Sequence, residues 1–148
     1  MTYKVQPVPV QLVNQIWSKV EPFIKSAEEK FGGSEYTTEQ IKVYLVMGQM
    51  MLLVATDENA EIHGAATVSF INYPNDRVAF VTSIGGKLVT SPETFAQMSE
   101  VFKSNGATKI QGAAKEAVAR LWKRFGFEEK AILVEVKLWA LLNSGSPF

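Results

Sequence analysis

Residues 50–86, MMLLVATDENAEIHGAATVSFINYPNDRVAFVTSIGG, carry the clearest structural pattern in the chain. An apolar run at 50–56 ends in a polar turn, and apolar residues then recur at every second position along 62–70. The turn-forming residues 72–76 separate that segment from a second alternating run at 77–84. Alternation bounded by Asn, Asp, Gly and Pro is typical of strands joined by tight turns. The stretch therefore predicts three antiparallel strands.

Toward the N-terminus, the pattern predicts one strand followed by two helices. Tyr3 to Val8 is a short extended run, and apolar residues at helical spacing follow it. Pro22 falls inside that spacing, so we expect the helix to kink or break near Glu21. Thr37 and Gln40 have the spacing of a capping box, which predicts the start of a second helix.

Toward the C-terminus, helices and strands alternate. Ser91 begins a helix, 108–112 is a short strand, and a further helix stops at Gly126. Ile132, Val134, Val136 and Leu138 alternate within 127–138, which predicts a last strand. The predicted order is β-α-α-β-β-β-α-β-α-β, and the fold class is α/β (α+β).

Composition excludes several kinds of protein. The 148 residues include 15 basic and 15 acidic side chains, one histidine and no cysteine. Balanced charge gives no field that would attract nucleic acid or an anionic membrane. One histidine without cysteine leaves no recognisable metal-ligand cluster. We expect a single cytoplasmic domain at 1–142 and a loose tail at 143–148, with no nucleic acid, membrane or metal as partner.

Two short segments resemble the GNAT superfamily of N-acetyltransferases. Leu121–Phe127, LWKRFGF, is similar to the family's aromatic-rich junction between its last helix and last strand. Ile62–Ala66, IHGAA, is similar to one of the family's central strands. With the element order, this resemblance implies a mixed, mostly antiparallel sheet with helices on both faces. It also implies acetyl transfer from acetyl-CoA to the amine of a small molecule or protein.

The resemblance further implies where the cofactor would bind, although the usual loop is missing. The family's Q/R-x-x-G-x-G/A pattern is absent after the fourth strand, where Pro92 and Glu93 open the next helix. Proline donates no N–H and glutamate repels phosphate, so this helix end suits self-capping better than anion binding. The cofactor contacts implied are Val81, Thr82, Ser83, Gly85, Gly86 and Lys87.

Catalytic side chains are harder to assign. The family's frequent acid, a tyrosine, aligns with Trp122, whose indole N–H is no proton donor at neutral pH. Trp122 at this helical spacing is better interpreted as a packing residue. An asparagine of the family aligns with Lys115, another departure. His63 and Glu61 are weak candidates for the general base, because neither has a recognisable partner in the sequence.

Two functions therefore stay open. The first is an acetyl-CoA-dependent N-acyltransferase with a degenerate cofactor loop. The second is a catalytically inactive GNAT-fold protein that binds a partner or forms a structure, as in some tailed bacteriophages, where the location would be the host cytoplasm or the virion. The apolar segment Leu138–Leu142 would then be a surface for a homo-oligomer or a structural partner.

Overall fold

The computed structural model describes residues 2–31, 35–114 and 116–139. The strands are β1 (Lys4–Val8), β2 (Met51–Thr56), β3 (Ile62–Asn72), β4 (Arg77–Gly86) and β5 (Lys109–Gly112). The helices are α1 (Val13–Phe31), α2 (Thr38–Val46), α3 (Lys87–Thr90), α4 (Pro92–Ser104) and α5 (Glu116–Lys123), and a 3-10 turn at Val10–Leu12 precedes α1. None of the described helices is both long and apolar enough to cross a bilayer.

One five-stranded sheet runs through the molecule in the order β1-β2-β3-β4-β5. The first three pairings are antiparallel, and β4 pairs with β5 in parallel. The parallel pairing requires a crossover, which α3 and α4 provide. The three antiparallel strands expected from residues 50–86 are confirmed.

Helices cover both faces of the sheet, as the predicted fold class requires. On one face, buried side chains of α1 and α2, such as Val20 and Ile41, pack with Leu52 and Ala65 of the sheet. On the other face, α4 and α5 supply a second buried cluster together with residues of β2, β3 and β4. The predicted mixed, mostly antiparallel sheet with helices on both faces is therefore confirmed.

A glutamine of α4 ties the outermost strand to the molecule. The side-chain oxygen of Gln97 accepts a hydrogen bond from the Val5 N–H at 2.8 Å. Its amide nitrogen donates to the Tyr3 carbonyl, also at 2.8 Å. The two bonds satisfy backbone groups that a strand at the edge of a sheet otherwise leaves unpaired.

Helix α1 continues through Pro22, so of the predicted kink or break near Glu21 the break is wrong, and the kink stays a prediction. Val20 and Ile24, on either side of the proline, are 0% and 1% exposed. Burial of this face on the sheet stabilises the helix by more than the missing hydrogen bond destabilises it. The capping box of α2 is confirmed, because the Thr37 hydroxyl accepts from the Gln40 N–H and the Gln40 side chain accepts from the Thr37 N–H.

The predicted last strand at 127–138 is wrong for the described residues. Residues 127–137 have no regular structure, and Leu138 and Trp139 begin a helical turn. Ile132, Val134 and Leu138 are 88%, 84% and 72% exposed. Alternation indicates which side chains a strand would bury, but a strand forms only when a neighbour pairs with it. The rest of Leu138–Leu142 and the tail at 143–148 lie outside the described residues.

Candidate functional site

Strands β4 and β5 part in the middle of β4. Their last paired residues are Val81 and Gly112, whereas β4 runs on to Gly86. At the same point the pairing of β4 with β3 slips, because Thr67 pairs with Ser83 and Val68 with Val81. Thr82 is therefore the extra residue of a β-bulge, a device that bends a strand. The result is a wedge, open between β4 from Thr82 onward and the end of β5.

A small apolar cleft with a free volume of about 10 Å³ adjoins the wedge on the face covered by α4 and α5. Trp122 of α5 lies over Gly112, and a Cβ on that glycine would be 2.9 Å from the indole ring. The indole is 9% exposed, so the interpretation of Trp122 as a packing residue is confirmed. The cleft is lined by Val81, Ile84, Leu88, Phe95, Met98, Trp122, Phe125 and Phe127.

Three hydroxyl groups meet at the bulge on the opposite face. The Thr67 hydroxyl lies 2.7 Å from that of Thr82 and 2.5 Å from that of Ser83. Thr82 donates to the Thr67 carbonyl at 3.0 Å and approaches the sulfur of Met50, which belongs to the core under α1 and α2. Thr67 is fully buried, while Thr82 and Ser83 are half-buried. Ser83 ends this chain of hydroxyls and can accept a hydrogen bond beyond it.

The two glycines that end β4 are required by close packing. A Cβ on Gly85 would lie 2.6 Å from the Phe23 carbonyl oxygen of α1, and one on Gly86 would collide with the His63 carbonyl oxygen. Gly86 also has a φ of +68°, which disfavours other residues. Lys87 follows as the exposed first residue of α3. The predicted loop is thus a tight corner between α1, β3 and α3.

The N-terminus of α4 is capped by its own residues, as the sequence predicts. The Ser91 hydroxyl accepts from the Thr94 N–H, and Pro92 occupies the first helical turn. The Thr94 hydroxyl in turn contacts the carbonyl oxygens of Lys87 and Ser91, both at 3.0 Å. Glu93 places a carboxylate in the first turn.

The turn between β2 and β3 brings together His63, Asp57 and Glu61. His63 Nε2 lies 2.7 Å from Asp57 Oδ2, and the other Asp57 oxygen accepts from the N–H groups of Asn59 and Glu61. The hydrogen bond with His63, followed by the bond from the Glu61 N–H, lowers the pKa of Asp57 below its ordinary value. Each of the three residues has one atom that could bind a metal ion, and these three atoms all lie within 4.8 Å of one another.

The structure divides the predicted cofactor residues between two places. Val81, Thr82 and Ser83 lie together at the wedge, whereas Gly86 lies at the end of β4 against the carbonyl group of His63, one of the two predicted bases. The sequence reasoning did not pick out Thr67 or Asp57 as functional residues. The signal in the sequence for Asp57 is its polar side chain, six positions before His63 and on the other side of a turn. Thr67 gave no signal, because its role depends on the register of β3 with β4.

The fold has clear counterparts among solved structures. No protein-family model and no curated protein sequence matches the chain. A predicted acetyltransferase from Clostridium acetobutylicum, crystallised with acetyl-CoA, has a TM-score of 0.65 and 15% identity, over 94% of this chain and 98% of that one. Glucosamine-6-phosphate N-acetyltransferase from Arabidopsis thaliana has a TM-score of 0.58 and 12% identity, over 93% and 99% of the two chains.

A third similar structure is an aminoglycoside acetyltransferase from an uncultured soil metagenomic sample, in complex with sisomicin. It has a TM-score of 0.66 and 12% identity, over 92% of this chain and 96% of that one. At these identities the likeness shows the fold, which is that of the GNAT acetyltransferases.

Proposed function

We propose that this protein is an N-acyltransferase that moves an acetyl group from a pantetheine thioester such as acetyl-CoA to an amine. The observation that carries the proposal is the wedge, where β4 leaves β5 after Val81 beside an apolar cleft. A strand edge without a partner offers backbone N–H and C=O groups in a row, which suits the amide groups of a pantetheine arm. The similar structure from Clostridium contains acetyl-CoA.

The residues at the wedge fit the arm of such a donor. Val81, Thr82 and Ser83 would contact it through the backbone, and the apolar cleft would shelter its less polar part from water. Gly85 and Gly86 allow the close corner that follows, and exposed Lys87 is the cation next to it. When bound, the donor supplies an acetyl thioester, whose C–S bond breaks as the amine nitrogen forms a bond to the carbonyl carbon.

The hydroxyl groups on the opposite face suit the acceptor. Ser83 can accept a hydrogen bond from an amine N–H, because its hydroxyl is held by that of Thr67, which is in turn bonded to Thr82. The proton that the amine loses needs another route, since hydroxyl groups are poor bases at neutral pH. The His63 backbone lies beside Gly86, which is three residues along β4 from Ser83, a spacing of roughly 10 Å. We propose that the proton leaves through water rather than directly to His63.

A second function, that of an inactive GNAT-fold protein in a structural assembly such as a phage virion, is favoured by the exposed segment after α5. Val136 and Trp139 are 60% and 63% exposed, and their neighbours at 132–134 are more exposed still. Apolar surface of this kind marks interaction sites more often than it occurs by chance. On the first proposal the protein works in the cytoplasm, and on the second it works in the host cytoplasm or the virion.

Titration calorimetry with acetyl-CoA and free CoA, together with a thermal shift, tests the first function. We expect a Kd in the micromolar range and a raised melting temperature, because a ligand that binds the native state stabilises it. Phe125→Ala removes an aromatic wall of the cleft and should weaken binding by about tenfold, the effect of roughly 1.4 kcal/mol. Phe70→Ala is the matched control, since Phe70 packs on Phe102 outside the cleft. Absence of heat and of any shift at millimolar ligand would favour the structural function.

A further inference from the structure

We infer that the acyl donor is recognised through its pantetheine arm and the first phosphate of that arm, and that the residues described around the corner after β4 form no site for a nucleotide diphosphate. The donor class is then a phosphopantetheine thioester, of which acetyl-CoA is one carrier and an acyl carrier protein another. The inference rests on the proposed acyltransferase function. It follows from how the corner after β4 is filled.

A diphosphate needs several backbone N–H groups directed at it. Helix α4 offers few, because Pro92 has no N–H and the Thr94 N–H is bonded to the Ser91 hydroxyl. The carboxylate of Glu93 stands in the same turn and would repel a second negative charge. The start of α4 is thus closed to a doubly charged group.

The start of α3 is closed by the sheet. A Cβ on Gly64 of β3 would lie 2.9 Å from the Lys87 nitrogen and 3.1 Å from the Leu88 nitrogen. These two amides therefore pack directly on the Gly64 backbone. Gly85 and Gly86, which precede these amides, are packed just as closely. Phe23 fills the space beside Gly85, and His63 fills the space beside Gly86. Glycine usually provides room for a phosphate in such a loop, but here it provides room for the protein's own backbone.

The group at this corner that can bind a phosphate is the side-chain ammonium of Lys87, which is exposed at the end of β4. A lysine is a single, hydrated point charge that meets one phosphate group without the planar geometry of arginine. Lys87 directly follows the last residue of β4. An arm that lies along β4 would therefore leave the wedge in the direction of this lysine. One phosphate at the end of the arm is the charge that this corner accommodates.

Calorimetry with three donors tests the inference: acetyl-CoA, S-acetyl-4′-phosphopantetheine and S-acetylpantetheine. We expect the first two to bind with Kd values within about fivefold of each other, and the third to bind about fivefold more weakly, as for the loss of one exposed ion pair. Lys87→Gln should abolish the difference between the second and third donors. Lys103→Gln, at the far end of α4, is the matched control and should leave all three values unchanged.

The outcomes separate this inference from the proposed function. Acetyl-CoA binding more than about fivefold tighter than acetyl-phosphopantetheine would overturn the inference and leave the acyltransferase function intact. Failure of all three donors to bind would overturn the proposed function itself. An acetyl-loaded acyl carrier protein distinguishes the two sources of the arm, because a Kd below that of the free phosphopantetheine thioester assigns the donor to a carrier protein.

Discussion

Asp57 is held as a carboxylate by three donors around the turn between β2 and β3. Its oxygens lie 2.8 Å from the Asn59 nitrogen, 3.0 Å from the Glu61 nitrogen and 2.7 Å from His63 Nε2. These bonds lower the pKa of Asp57 from its ordinary value of 3.8. A carboxyl group with a lowered pKa in the folded protein stabilises the fold above that ordinary value, and the contribution is lost as the pH falls through the lower folded value.

Asp57→Asn should therefore lower the melting temperature at neutral pH and change how stability depends on acid. We expect the difference between wild type and variant to be constant well above pH 3.8 and to shrink below it, as Asp57 is protonated in the wild type. Thermal unfolding followed by circular dichroism from pH 7 to pH 2 measures it. Glu58→Gln, in the same turn and exposed, is the control, and a pH-independent difference would contradict the assignment.

His63→Ala tests whether the histidine acts directly on the acceptor amine. We expect kcat to fall by less than about tenfold, because a direct general base contributes about 10²–10⁴-fold. Rates with a reactive amine such as hydroxylamine, measured at pH 6–9, report the effect. A loss of 10² or more with a vanished acidic limb of the pH profile would show that His63 is the base after all.

At this scale the sequence predicted the position of several candidate residues in the fold better than their hydrogen-bond partners. Val81, Thr82 and Ser83 were placed by their position on the fourth strand, where backbone groups matter more than side chains. The partnership of His63 with Asp57 was not predictable, since it depends on how the turn at 57–61 folds back. The link from Ser83 to Thr67 depends on a one-residue slip in strand register, and no pattern along one chain encodes such a slip.

Among the elements, helix α2 depends most clearly on its cap. Its nine residues are too few to form a stable isolated helix, so its ends matter. Thr37→Ala removes the hydroxyl that accepts the Gln40 N–H and should destabilise the protein by about 1 kcal/mol. Urea denaturation measures the change, with Thr37→Ser as the control that keeps the hydroxyl. Equal destabilisation by both variants would indicate that the methyl group, rather than the cap, is what matters.

Element boundaries were predictable where local signals and packing agree. The strands at 50–86 and the start of α4 at Ser91 follow from alternation and capping, and the structure has them there. The break at Pro22 and the strand at 127–138 were mispredicted because long-range interactions decide both. Burial of α1 on the sheet keeps the helix continuous through Pro22, and residues 127–138 have no paired neighbour in the described part of the chain.

For the whole molecule, the exposed segment after α5 predicts self-association. We expect the wild type to show a mass above that of one chain in light scattering after gel filtration, and Trp139→Ala to show a smaller mass. Tyr73→Ala is the control, because Tyr73 is also an exposed aromatic residue, at 54%, in the turn between β3 and β4. An unchanged mass with a lowered melting temperature for Trp139→Ala would show that the segment completes the fold instead.

The contact between Gln97 and β1 limits a different kind of association, in which strands of two copies pair at the edge of the sheet. Val5 directs its N–H away from β2 toward Gln97, and Pro7, two residues on, points the same way and has no N–H to offer. No strand can therefore be added at this margin of the sheet, and among the described strands growth is left to the β5 side alone. A sheet that can extend in one direction only joins a second copy about a twofold axis and then stops. Any pairing of this kind ends at two chains, and a fibre cannot grow from it.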